Sequence, residues 1–175
     1  MKNRSGIRGF TLIELLVVIA IIGVLASIVL ASLNSARRKS RDARRITDLK
    51  QIQLALELFF DAESPPQYPL ATVTCDTTNA YGLEVLASGG YIPQVPRDPQ
   101  GGCYHYTSVL SGIRTTYHLG ATLEEGTNPA LNSDKDCDSA DNNPVCATGV
   151  TYGPTGSAPA GPFDGSAGTV YDLIP

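Results

Sequence analysis

Between Phe10 and Ala62 the chain has no proline and a single glycine, Gly23, so nothing in its backbone chemistry interrupts a helix across that stretch. No aromatic residue lies between Leu33 and Leu58, which removes the stacking platforms that a basic nucleic-acid-binding segment uses. Catalytic signatures are missing too: there is no G-x-S-x-G, no Walker loop and no H-E-x-x-H. The two histidines, His105 and His118, fall in candidate strands without a clustered cysteine or acidic motif, where a structural or exposed role is the ordinary one. No pair of cysteines has the C-x-x-C spacing of a zinc ribbon or redox site. No internal repeat or low-complexity tract is evident. An enzyme is therefore not expected, and energy for any motion has to come from a separate ATPase.

What is present begins with Gly9-Phe10-Thr11-Leu12-Ile13-Glu14, followed by an apolar run to Leu33 broken only by Gly23, Ser27 and Ser32. A bilayer-spanning helix needs about 20 apolar residues, and this run supplies them. The hydrophobic region of a secretory signal peptide is shorter, about 7–15 residues, although Ala31 to Ala36 offers small residues for cleavage. Neither a signal peptide nor a plain signal anchor explains Glu14. A carboxylate costs about 2.5–3.5 kcal/mol at the bilayer centre, so it asks for a cation.

Lys2, Arg4 and Arg8 keep the leader on the cytoplasmic side by the positive-inside rule. The cluster Arg37, Arg38, Lys39, Arg41, Arg44 and Arg45 pulls the other way, whereas four cysteines favour an oxidising compartment for the remainder. The expected topology is single-pass in the cytoplasmic (inner) membrane, with the head outside the cytoplasm. Charge divides along the chain: residues 1–50 carry a net +7 and residues 51–175 a net −11. That contrast suits either attraction between the stem and head of stacked subunits or a solvated basic face near anionic lipid.

Beyond the membrane stretch, Ile46, Leu49, Ile52 or Gln53, Leu56 and Phe59–Phe60 recur at helical spacing, giving an amphipathic helix with one packing face. Arg38 with Asp42 and Arg44 with Asp48 stand at i,i+4. The whole helix would run about 80 Å, ending at Ser64-Pro65-Pro66. A short helix is expected between Gly82 and Gly89. A hairpin follows, with Tyr104 to Val109 as one strand, Ser111-Gly112 as a two-residue turn and Ile113 to Leu123 as the return. The economical fold is α+β: a long N-terminal helix on an antiparallel sheet of at most three strands. Thirteen of the last fifty residues are Gly or Pro, so a loop-rich C-terminal region is expected, with Thr169 to Leu173 returning as an edge strand.

Cys75, Cys103, Cys137 and Cys146 allow three pairings, of which the sequential one joins Cys75 to Cys103 and Cys137 to Cys146. Structural disulfides would hold a head of about 110 residues that its core alone does not fix. Asp134, Asp136, Asp138 and Asp141 place four carboxylates within eight residues. They repel one another unless a cation intervenes, and calcium, with its six to eight oxygen ligands, suits them. Asn143 or backbone carbonyls would complete the shell. Ser139 and Val145 stand where an EF-hand needs glycine and glutamate, and an acidic, solvated turn is the other reading.

The run Gly9-Phe10-Thr11-Leu12-Ile13-Glu14-Leu15 resembles the prepilin processing site of type IV pilins and type II secretion pseudopilins. The resemblance implies cleavage by a membrane aspartyl peptidase between Gly9 and Phe10, methylation of the Phe10 amine, and pairing of Glu14 with the terminal amine of a neighbouring subunit. It implies a leader at 1–9, a transmembrane and filament-core helix at 10–33, an amphipathic helix at 34–64 and a pilin-like head, lollipop fashion, at 65–175. The bilayer would hold the subunit until a platform protein and its ATPase draw it into a filament of like subunits outside the cytoplasm.

Gly90 to Tyr106, with Gly90-Tyr91-Ile92-Pro93, Pro96-Arg97-Asp98-Pro99 and Tyr104-His105-Tyr106, is similar to a segment of major pseudopilins. Members of that group commonly bind calcium in a C-terminal loop. Gln100, where an aromatic is usual, the cysteines and the longer tail depart from it. The reading is thus a major pseudopilin supporting type II secretion. A type IV pilin serving adhesion, twitching or DNA uptake is the alternative, and a signal-anchored binding domain that of another class.

Overall fold

The computed structural model describes residues 10–72, 74–76, 79–109, 112–137, 152–153 and 168–175. Helix α1 runs Leu12–Ala62, as the proline-free stretch demands, and stops before Pro65 and Pro66, which offer no N–H. The chain divides into two compact units, residues 1–38 and 39–175. In the first, the large apolar side chains from Phe10 to Leu33 are all exposed, so this part of α1 is apolar on every side. Alpha1 is also the one described helix long and apolar enough to cross a membrane.

The second unit holds the core. Leu49, Ile52, Ala55 and Leu56 line one face of α1 and pack with Tyr68, Leu83, Leu86, Tyr106, Tyr117 and Leu119. Ile46, Phe59 and Phe60 flank them half-buried, so the face read from the spacing is the one that packs. Helix α2, Glu84–Ser88, caps one end, entered through Gly82 at φ +92, where an added Cβ would stand 2.2 Å from the Leu70 carbonyl oxygen.

Strands β1 (His105–Val109), β2 (Tyr117–Thr122), β3 (Tyr152–Gly153) and β4 (Val170–Leu173) form one antiparallel sheet in the order β3-β1-β2-β4. The sheet thus has four strands, one more than expected. Beta3 lies in the glycine-rich tail, where two paired residues leave no period to read. The returning edge strand is where the sequence placed it, but β2 begins at Tyr117 rather than Ile113, and the turn is no two-residue hairpin loop. The cause is a competing partner: Arg114 accepts the Tyr68 N–H at 2.8 Å and returns its own Nε–H to the Tyr68 carbonyl at 2.7 Å, which draws residues 113–116 away from β1.

Both faces of the sheet are covered. Tyr106, Ser108, Tyr117, Leu119 and Tyr171 share the helix side by register, while Thr107, His118 and Asp172 share the other. All three of the latter are buried. Strict polar–apolar alternation fails in β1 and β2 for that reason.

The packing face of α1 turns polar at its start. Arg45 is only 2% exposed and Asp42 not at all. The Arg45 guanidinium donates to Asp42 at 2.7 Å, to Glu124 at 3.0 Å, to Gln100 at 3.0 Å and through two nitrogens to Asp98. Asp42 in turn accepts the backbone N–H groups of Glu124 and Glu125. Arg41 closes a bidentate pair on Glu124, both bonds 2.6 Å. Two of the six basic residues read as a lipid-facing or intersubunit cluster are therefore spent within their own head. Asp42 pairs with Arg45 instead of the expected Arg38, and Arg44 meets Asp48 at 3.5 Å as expected.

Bonds from Arg41, against some burial, and then from Arg45 hold the Glu124 carboxyl down at about 2. Burial raises Asp98, but Arg45 more than offsets it and leaves that group below its ordinary value. Groups held down in the folded state stabilise it above their ordinary pKa and lose that contribution as pH falls through the lowered one. Unfolding free energy should therefore drop between about pH 4.5 and 2, more steeply in the wild type than in Arg41→Gln, as followed by denaturant titration. Arg45→Leu, which strands Asp42 in the interior, should cost about 3–5 kcal/mol at pH 7, against less than about 0.5 for Arg44→Ala.

Candidate processing, assembly and metal sites

Gly9 lies outside the described residues, and Phe10 is 83% exposed at the start of the first unit. Thr11 is the N-cap of α1. Its Oγ accepts the Glu14 N–H at 3.3 Å, while the Glu14 Oε2 accepts both the Thr11 N–H at 2.9 Å and the Thr11 hydroxyl at 2.6 Å. This is a capping box, and the T-x-x-E spacing that signals one was legible before an apolar run. It gives Glu14 a local structural task that the sequence reading had not assigned. Both of these bonds use Oε2, so the second carboxylate oxygen is left uncommitted, four residues after Phe10.

Cys75 and Cys103 form a disulfide with Cα atoms 5.9 Å apart, as the sequential pairing has it. Arg97, ion-paired to Glu84 at 2.9 Å, donates to the Cys103 sulfur. Cys137 is likewise disulfide-bonded, and Cys146 lies outside the described residues.

Of the four aspartates proposed for calcium, Asp138 and Asp141 lie outside the described residues, as does Asn143. Asp136 is exposed, with a left-handed backbone at φ +47. Asp134 is the informative one: both its carboxylate oxygens are shut off from solvent without a hydrogen-bond partner. Burial first, then the charges of Asp136 and Asp172, push its carboxyl up to about 6. A desolvated carboxylate in a crowd of its own sign is chemistry that a hard cation relieves.

Beneath this loop sits Asp172, which the sequence analysis missed. Its Oδ1 accepts the N–H groups of Lys135 at 3.1 Å and Asp136 at 3.0 Å, and its Oδ2 that of Cys137 at 3.3 Å. His118 Nε2 lies 2.8 Å from the same Oδ2, and both side chains are completely buried. His118 and Asp172 are 54 residues apart, and only the β2–β4 register brings them together, so no local signal could have found the pair. His118, Asp172 and the Cys137 sulfur converge, but Cys137 is committed to a disulfide and offers no thiolate, so these three do not make a transition-metal site.

Residues 4–30 match the profile of the prokaryotic N-terminal methylation motif. The chain is 33% identical to type II secretion system core protein G of Vibrio cholerae serotype O1, over 72% of this chain and 88% of that protein. It is 36% identical to the protein of that name from Escherichia coli K12, again over 72% and 88%, and 33% identical to that of Pseudomonas aeruginosa, over 74% and 91%. No solved structure matches the chain significantly. Likeness that runs from the methylation motif through the head, across most of the length of each relative, means that the chain belongs to the family of type II secretion system core protein G, the major pseudopilins.

Proposed function

We propose that the prepilin peptidase cuts between Gly9 and Phe10 and methylates the Phe10 amine, and that Glu14 receives the terminal amine of a neighbouring subunit as the filament grows. The observation that carries this is the position of Glu14, a carboxylate at the entry of a helix whose first part, to Leu33, is otherwise apolar on all sides. In the inner membrane that charge is a liability of a few kcal/mol, and a passing amine relieves it. A subunit pulled from lipid must cover the apolar side chains of residues 10–33, and identical neighbours offer the same surface. Contacts that do not close into a ring then propagate a filament. The head stays outside the cytoplasm, a platform protein and its ATPase supply the extraction work, and the chain itself catalyses nothing.

Calcium belongs to the same reading. Asp134 would hold the ion, with Asp136, Asp138 and Asp141 supplying further oxygens. The ion would neutralise carboxylates that otherwise repel.

Intact mass of protein taken from native membranes or filaments should match a chain beginning at Phe10, with one methyl added and four hydrogens lost. Retention of Met1 to Gly9 would instead favour the signal-anchored binding domain. Glu14→Gln keeps an acceptor for the capping box but no charge, so it should insert normally and yield no filaments. Normal filaments from that variant would reduce Glu14 to its capping task. Millimolar calcium should raise the unfolding temperature of the purified protein, and chelation should reverse it. Asp134→Asn should abolish that rise while making the metal-free protein more stable by about 1 kcal/mol or less, since it removes a desolvated charge. A calcium response unchanged in Asp134→Asn would remove this residue from the site.

A further inference from the structure

Three successive backbone N–H groups, those of residues 135–137, converge on the single carboxylate of Asp172. Such a run of amides around an anion is a nest, and the left-handed Asp136 is what curls the backbone into it. In a planar trans peptide the carbonyl points opposite to the N–H of the next residue. Gripping the amides of Lys135, Asp136 and Cys137 therefore turns the carbonyls of Asp134, Lys135 and Asp136 away from the sheet. Backbone carbonyls are calcium ligands, and these three belong to the same turn as the Asp134 carboxylate, whose oxygens are shut off from solvent.

Lys135 and Asp136 are exposed, so water could satisfy their amides; a buried carboxylate and a buried histidine are a costly substitute. The arrangement makes sense if the outward side of the loop has a task. We propose that Asp172, steadied by His118, is a positioning residue for cation capture: it folds residues 134–137 so that their carbonyls and Asp134 face a calcium-class ion. This rests on the calcium reading above. Because Asp172 lies on β4, which pairs with β2 from Leu119 to Thr122, ion binding and docking of the C-terminal strand then favour each other reciprocally.

Calcium alone is titrated into the full mature protein in detergent, by calorimetry well below the unfolding temperature, with unfolding of the metal-free form measured alongside. Asp172→Asn should weaken calcium binding at least tenfold, and His118→Gln, which keeps a donor, should weaken it less. Tyr106→Phe, a control on the helix side of β1 whose hydroxyl bonds the Pro69 carbonyl, should leave the affinity within twofold whatever it does to stability. Equal affinity in the wild type and Asp172→Asn would overturn the inference while leaving the calcium reading intact, provided Asp134→Asn no longer binds. Absence of saturable binding in the wild type overturns both. Should Asp172→Asn fail to fold, hydrogen exchange of the wild type decides. Calcium must then slow the amides of 135–137 and 170–173 together, and protection confined to the loop overturns the coupling.

Discussion

Arg45 sits where water cannot reach it, and its guanidinium makes five hydrogen bonds, as many as it has N–H groups. Its partners come from three separate parts of the head: Asp42 on α1, Asp98 and Gln100 in the turn before β1, and Glu124 just past β2. Asp42 extends the grip by accepting the amides of Glu124 and Glu125. A buried pair of this kind is weak evidence for net stability, because desolvating the charges consumes much of their attraction. Its value is geometric. Apolar side chains tolerate a helix that slides or rotates by a few degrees, whereas five donors in a rigid fork tolerate only one seating. Lysine, a single point charge with three donors, could not replace it. How α1 is phased against the sheet is thus decided at Arg45, and Leu49, Ile52 and Leu56 fill the core that this phasing defines.

The same division of labour recurs on the far side of the sheet. Asp172 is a buried and multiply bonded carboxyl group, like Asp42, and it too gathers backbone amides from a segment distant in sequence. Two carboxylates rooted in regular elements thereby hold two irregular segments, 124–125 and 135–137. Disulfides do a similar service where neither carboxylate reaches, with Cys75–Cys103 tying the loop before α2 to the entry of β1.

Legibility followed the range of the interaction. Helix α1 and its packing face were readable because a proline-free stretch with apolar residues three and four apart has one interpretation. Helix α2 and the returning strand at Val170–Leu173 were readable for the same local reasons. The start of β2 was misplaced because alternation from Ile113 onward continues smoothly, while the deciding bond is to Tyr68, more than forty residues upstream. The acidic run announced a cation site by its own composition, yet its support, Asp172, stands as a single unremarkable residue near the end of the chain. Arg41 and Arg45 looked like members of a surface cluster because charge density in sequence says nothing about which side chains the helix turns inward. Had the face of Leu49, Ile52 and Leu56 been extended backward by its own period, it would have reached Arg45 and Asp42.

Glu14 carries the remaining tension between structure and assembly. A capping carboxylate already has its charge partly compensated by two donors on Thr11, so less of it is left to demand a neighbour. Yet a helix N-terminus brings its own positive end to the same place, and after cleavage the Phe10 amine would add a full charge one residue before Thr11. An isolated subunit would then hold amine and carboxylate close to balance, which eases its stay in lipid. On the role proposed for Glu14, the same two groups would be exchanged between subunits, the amine of one meeting the Glu14 of the next, with little change in the number of charges left unpaired. That role would need the exchange to be nearly neutral, so that burial of residues 10–33 against one another sets the direction of assembly. A carboxylate with one oxygen on the cap and the other uncommitted is suited to both states.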